Sequence, residues 1–288
     1  MTIAVHRNST QLNGIRMHWL EAGEGPAVVL LHGYPQTSYA WRHQIAHLSG
    51  SYHIIAPDLR GYGDTEKPAS GYDKRTMATD VLALLDHLKL DRVALVGHDR
   101  GARVATRFAK DFPDRISRLV VMDNVPTRIV FEQMNARIAK GYWFFNFQQI
   151  PDLPEALITG REDIFLRHLF ADWTYRPDAL SEAAIQTYVR AYSRPGALRG
   201  AFNDYRAAPL DLEQDQADAH VPISCPILAL WGADFHLVGQ MFDMPTVWRS
   251  MGTSVEVLPI PECCHLPQEE QPAIVNAALE RFLSEERY

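Results

Sequence analysis

The chain has 288 residues, enough for one large α/β domain with an inserted lid or for two small domains. Its formal net charge is −7, with 47% hydrophobic and 22% charged residues and no run of Lys/Arg, a balance that argues against a nucleic-acid partner. Cys225 stands alone, Cys263 and Cys264 are adjacent, and no C-x-x-C spacing occurs, so neither a disulfide framework nor a zinc site is expected and reduced thiols in a cytoplasmic protein fit best.

Residues 1–14 are polar and lack an apolar signal core, and no apolar run approaches the ~18 residues of a membrane span, so no membrane partner is expected. Residues 15–21 alternate loosely and predict a strand. Residues 27–31 form a continuous apolar run ending at His32-Gly33, the pattern of a buried strand. A short amphipathic helix is expected over 41–48, a buried strand over 53–56 closed by Pro57-Asp58, and a helix over 76–88. Strand 93–96, helix 102–110 and strand 116–122 follow. Strands alternating with helices predict a mostly parallel sheet covered on both faces. From about Thr127 the pattern turns helical and aromatic, with helices over 131–139, 162–170, 182–190 and 197–206 separated by turns at Pro151, Gly160, Pro177 and Pro195-Gly196. Alternation resumes at Pro226, with strand 227–231, helix 241–251, strand 255–258 and a last helix over 272–283. The expected organisation is an α/β core of residues 1–126 and 213–288 interrupted by an all-helical cap over 127–212.

Residues 96–101 read Val-Gly-His-Asp-Arg-Gly, between strand 93–96 and helix 102–110. A strand, a sharp turn and a helix with glycines on either side of the central residue form the frame of the G-x-S-x-G nucleophile elbow. The central residue here is Asp99. A carboxylate at that point suits displacement at saturated carbon through an alkyl-ester intermediate, and does not suit ordinary esterase chemistry. Hydrolysing that ester needs a general base. His265 lies after the last predicted strand and completes the chain order nucleophile, acid, histidine. Its orienting carboxylate is either Asp123, directly after strand 116–122, or Asp234, after strand 227–231. Backbone N–H groups of Arg100 and Tyr34, the latter in His32-Gly33-Tyr34-Pro35, are the expected oxyanion donors. Arg100 and Arg103 lie three apart on one helix face near its N-terminus, placed to clamp a substrate carboxylate. The alternative for both is an ion pair with core carboxylates such as Asp58 or Asp123.

Through these residues the chain resembles the α/β-hydrolase family of fluoroacetate and haloacetate dehalogenases. The matching segments are His32-Gly33-Tyr34-Pro35-Gln36, Asp58-Leu59-Arg60-Gly61-Tyr62-Gly63, Gly97-His98-Asp99-Arg100-Gly101-Ala102-Arg103, Asp204-Tyr205-Arg206-Ala207 and His265. The first two segments and the bare elbow are shared widely with epoxide hydrolases. The resemblance implies an α/β-hydrolase fold with an inserted cap, Asp123 as the acid partner, and Arg100 with Arg103 on the substrate carboxylate. It also implies a halide pocket built from a cap His-Trp pair and a cap tyrosine. Tyr205 matches the tyrosine, but residues 140–145 contain no histidine. With one extra residue before Pro154, Trp143 takes the Trp position and Tyr142 replaces the His; without it, Trp143 and Phe144 occupy the pair. Epoxide hydrolases of this fold bring two tyrosines, or a His and a Tyr, to the epoxide oxygen, and Tyr142 with Tyr205 fits that pattern. The expectation is hydrolytic dehalogenation of short 2-haloacids to 2-hydroxy acids, with epoxide hydrolysis by the same Asp, His and acid as the alternative. Neither needs a metal or organic cofactor, and the resemblance implies a homodimer.

Overall fold

The computed structural model describes residues 4–284. One eight-stranded sheet contains β1 (His6–Leu12), β2 (Ile15–Ala22), β3 (Ala27–Leu31), β4 (His53–Pro57), β5 (Val93–His98), β6 (Ile116–Met122), β7 (Ile227–Gly232) and β8 (Val255–Ile260). Their spatial order is β1-β2-β4-β3-β5-β6-β7-β8. β2 is antiparallel to both neighbours, and every pair from β4 to β8 is parallel. The chain moves outward from β3 to β4, then crosses back to lay β5 on the other side of β3. The loops that leave the carboxyl ends of β3 and β5 therefore diverge, and the crevice between them is where open α/β sheets bind ligands. Tyr34 follows β3 and Asp99 follows β5.

Side-chain alternation divides the core into two layers. Val29, Leu31, Leu95 and Val121 face the helices Lys74–His87 and Arg100–Asp111, through Val81, Leu84, Ala105 and Phe108. Val28, Leu30, Val96 and Leu228 face the other side, against Ile45 and Leu48 of Arg42–Leu48 and Leu279 and Phe282 of Pro272–Ser284. With both faces covered, the inner strands read as continuous apolar runs. Gly101 lets the helix Arg100–Asp111 approach β3: a Cβ there would lie 2.2 Å from the Leu31 carbonyl oxygen and 2.5 Å from that of His32. Backbone cannot yield as a flexible side chain does. Gly101→Ala is expected to cost roughly 2–3 kcal/mol, read as a lower urea midpoint with an unchanged slope. An unshifted midpoint would show that this approach is not tight.

Three elements depart from expectation. Residues 6–12 are too polar to announce a strand, yet β1 pairs along β2 as an exposed hairpin arm. Its turn is Asn13-Gly14, with φ of 46° and 77°, the positive-φ dipeptide that closes two-residue hairpins. The helix expected over 131–139 is broken: Thr127–Glu132 ends, and Asn135 caps a new helix, Ala136–Gly141, by accepting from the amides of Arg137 and Ile138. The helix expected over 241–251 is likewise two, Val238–Met241 and Met244–Arg249, the second capped by Asp243 with a proline in its first turn. Between β6 and β7 the described residues form helices and one isolated bridge, Ile223 to Gly252, and the last of these helices, Ala208–Ala217, runs past the expected cap boundary at 212. No helix among the described residues is long and apolar enough to cross a membrane.

Candidate active site

Asp99 opens the helix Arg100–Asp111 with φ 46° and ψ −111°. Backbone of this kind costs a non-glycine residue about 1–3 kcal/mol, and it persists only where the surroundings over-determine it. Here they do. A Cβ on Gly33 would sit 2.5 Å from the Asp99 Cβ, and one on Gly97 would sit 2.6 Å from the Ala102 Cα. The Asp99 amide donates to the Met122 carbonyl at 3.1 Å, and Asn124 Nδ2 donates to the Asp99 carbonyl at 3.1 Å. The Asp99 carboxylate has two environments. Oδ1 accepts from the Tyr34 amide at 2.8 Å; Oδ2 lies 3.9 Å from His265 Nε2, too far for a direct hydrogen bond. The amide of Arg100, the first of the helix, has no intrahelical acceptor and lies next to Asp99 in the chain.

His265 Nδ1 meets Asp123 Oδ2 at 2.5 Å, and the other Asp123 oxygen accepts from the Gly232 amide at 3.1 Å. Asp123 leaves β6 with φ 43° and is fully buried. The rival carboxylate, Asp234, closes a separate turn by accepting from the Glu262 amide at 2.9 Å. Main-chain contacts fix the His265 loop from two sides. Its amide donates to the Trp173 carbonyl at 2.9 Å, and its carbonyl accepts from His98 Nε2 at 2.7 Å. Trp173 and Phe235 enclose the imidazole, with ring centres 4.9 and 5.0 Å away. Burial works against a proton on His265, but the Asp123 hydrogen bond and charge outweigh it and leave the imidazole more basic than usual. Burial raises the Asp123 pKa, and its bond to His265 offsets this only in part.

Asp99, Asp123 and His265 share one cavity with Tyr142, Trp173 and Tyr205 from the helical segment. About 20 Å³ stays free, room for a single water. Both arginines reach its wall, in different states. Arg100 is 1% exposed and committed: Nη2 lies 2.5 Å and Nε 3.1 Å from the Asp204 carboxylate, with the Asp204 carbonyl at 2.8 Å from Nη2. Its ion-pair partner is thus in the helical segment, not Asp58 or Asp123, and the expected clamp loses one arm. Arg103 has no ion pair among the described residues. Its Nη1 donates to Thr127 Oγ1, its Nε is buried without a partner, and burial together with the Arg100 charge lowers its pKa.

The expected halide pocket is only partly assembled. Tyr142 and Tyr205 line the cavity, and neither hydroxyl forms a hydrogen bond among the described residues. Burial raises both phenol pKa values, so both keep their protons. Trp143 does not join them: it is 37% exposed and packs outward on Phe147, Phe165 and His168. Phe144 turns inward in its place, 4.7 Å from the Trp173 ring. Sequence reading missed Trp173, whose indole Nε1 is buried beside His265 without a partner among the described residues. The helix ending at 173 had been expected to stop at 170, which left this tryptophan in a turn. Phe235, three residues past the end of β7, was missed because it lies in no periodic segment.

A carboxylate on a strained strand-to-helix turn, an acid after the neighbouring strand, a histidine after the edge strand β8, and helices over the top define a hydrolase architecture. The family described as alpha/beta hydrolase fold matches residues 26–272, and the chain belongs to it. Among its relatives, the soluble epoxide hydrolase of Corynebacterium sp. (strain C12) is 37% identical over 98% of this chain and 99% of its own. The fluoroacetate dehalogenase of Burkholderia sp. is 32% identical over 98% of this chain and 94% of its own. The ligand-free structure of the epoxide hydrolase CorEH superimposes with a TM-score of 0.91 at 36% identity, covering 97% of this chain and 99% of that one. The structure of ALR0039 from Nostoc sp PCC 7120 gives 0.95 at 35% identity, covering 98% and 99%. The protein is therefore a hydrolase with epoxide hydrolase and fluoroacetate dehalogenase homologues, with which a small-molecule substrate is consistent.

Proposed function

We propose that the protein hydrolyses epoxides through an ester on Asp99. The observation that carries this is the pair of cap hydroxyls, Tyr142 and Tyr205, protonated and without hydrogen-bond partners among the described residues, in the cavity of Asp99. An Asp99 oxygen attacks a ring carbon, the C–O bond opens, and the released oxygen takes a proton from one of the two phenols. A water between Asp99 Oδ2 and His265 Nε2, 3.9 Å apart, then gives a proton to His265 and adds to the Asp99 carboxyl carbon. The Tyr34 and Arg100 amides receive the resulting oxyanion. Its collapse expels the alkoxide, which takes the histidine proton; the second proton of the water, left on the Asp99 carboxyl, restores the tyrosine, and a diol departs from the regenerated carboxylate. Asp123 holds the imidazole and stabilises its charged form. The reaction balances without a cofactor. The Corynebacterium relative agrees with this reading.

One observation favours a second substrate class. Arg103 is a buried cation with no carboxylate partner among the described residues, and a short 2-haloacid would supply one. Asp99 would then displace halide, Arg103 would hold the substrate carboxylate with what Arg100 can add, and a 2-hydroxy acid would leave. Against it stand Arg100, already paired with Asp204, and Trp143, outside the cavity. Diol formation from styrene oxide and chloride release from chloroacetate separate the two. Diol is the expected product, and Tyr142→Phe with Tyr205→Phe should lower its formation by a factor on the order of 10²–10⁴. Chloride release with no diol would replace the epoxide reading by the haloacid one.

A further inference from the structure

The strongest unexplained feature outside the reacting groups is Glu270, five residues after His265. Its carboxylate accepts three backbone hydrogen bonds. Oε1 takes those of Cys264 and Leu266, each at 3.0 Å, the two amides on either side of His265. Oε2 takes the Tyr175 amide at 2.6 Å. The amide of His265 itself goes to the Trp173 carbonyl at 2.9 Å. Three consecutive amides, 264 to 266, are thus held by two anchors. One is the end of the cavity-lining helix Glu162–Trp173, and the other is a carboxylate tied to that helix two residues further on. The loop bearing His265 has little other regular structure, since only the four-residue helix Pro267–Glu270 separates it from the last helix.

We infer that Glu270 is a positioning residue, which seats the His265 imidazole by clamping its loop to the cap wall at Trp173–Tyr175. The inference rests on the Asp99-ester reading above. Only a carboxylate fits the place. Three N–H donors converge on it from two directions, and both oxygens must accept. A glutamine has one acceptor oxygen, and its NH2 would confront an N–H, so either the histidine arm or the cap arm is lost. The consequence is selective. Attack of Asp99 on the substrate does not involve His265, whereas hydrolysis of the ester does. A misplaced imidazole slows the second step and leaves the first alone; general damage to the cavity slows both.

The test follows both steps by rapid quench and intact-protein mass spectrometry with styrene oxide and chloroacetate, in the wild type, His265→Gln, Glu270→Gln and Tyr175→Pro. The proline variant removes the cap arm alone, at an exposed residue, and Thr174 already has the extended backbone (φ −117°, ψ 145°) that a following proline requires. Glu270→Gln should accumulate the Asp99 adduct, with ester hydrolysis slowed by about tenfold or more and alkylation changed by less than about twofold. Tyr175→Pro should accumulate it to a smaller extent. Equal slowing of both steps in these variants, or ester hydrolysis at the wild-type rate, overturns the inference. If Glu270→Gln does not fold, Tyr175→Pro decides by the same criteria. His265→Gln keeps the two ideas apart. Absence of an adduct there removes the ester reading and the inference with it; an adduct there without accumulation in the other two variants removes the inference alone.

Discussion

His265→Gln is expected to stop the reaction half-way, with turnover lowered by a factor on the order of 10²–10⁴ and the substrate left bound to Asp99. The expectation follows from division of labour in the site. Asp99 is held for attack by its own turn and by the Tyr34 amide, neither of which depends on the imidazole. Breaking the ester requires a proton acceptor on the Asp99 Oδ2 side, and His265 Nε2 is there, oriented through its other nitrogen by Asp123. The adduct also reports the substrate class. Ring opening adds the whole epoxide to the protein mass, whereas halide displacement adds the acid less hydrogen halide. Asp99→Asn should give no adduct with either. The wild-type pH profile carries a further sign. Ester hydrolysis needs the neutral imidazole, and the Asp123 bond makes this one more basic than usual against the opposing effect of burial. Turnover should therefore fall on the acid side at a higher pH than for an ordinary histidine. Wild-type turnover in His265→Gln would remove the mechanism.

What the sequence made legible divides along physical lines. The order of buried strands and the place of Asp99 were readable because a parallel sheet buried on both faces leaves continuous apolar runs, and the elbow needs glycines on both sides of its central residue. Asp123 and His265 were readable as positions after strands. Strand position alone left Asp123 and Asp234 open as the partner of His265, since both follow neighbouring strands, and only the family resemblance pointed to Asp123; Asp234 is drawn instead to the Glu262 amide. β1 was invisible to hydropathy because an edge strand facing water needs no apolar face, although its Asn-Gly turn was in plain view. The inward or outward direction of Trp143 and Phe144 was beyond reach, since adjacent residues at the start of a short helix, Trp143–Gln149, point about 100° apart and one residue of register exchanges them. The partner of Arg100 lay 104 residues away in the helical segment, a pairing that no local spacing encodes.

That pairing supports the second large expectation, that Asp204→Asn destabilises the fold by about 3–5 kcal/mol, a drop of roughly 10 °C in Tm. Asp204 lies wholly buried in the helix Ala197–Arg206 and gathers groups from three parts of the core. Arg100 bonds it through two nitrogens, Lys74 Nζ reaches Oδ1 at 2.5 Å, and the Tyr62 hydroxyl reaches Oδ2 at 2.6 Å. Asparagine keeps one acceptor and turns an NH2 toward donors, while two buried cations lose their shared counter-charge; Lys74 retains Asp211 at 3.2 Å, but Arg100 is left with Asp211 only at 4.0 Å. The pH dependence has a definite sign. Burial raises the Asp204 pKa, but the charges of Arg100 and Lys74 outweigh it and hold the folded value far below the ordinary range. Its contribution is therefore complete above the unfolded value of about 3.9 and is lost as pH falls toward the folded one. The gap between wild type and variant should stay constant through neutral pH and narrow only in acid. Activity should suffer as well. Tyr205 is the next residue, its ring lies under the Arg100 guanidinium at 4.4 Å, and its hydroxyl is one of the two assigned to the epoxide oxygen. A melt within about 2 °C of wild type at neutral pH would mean that the network does not hold the cap to the core.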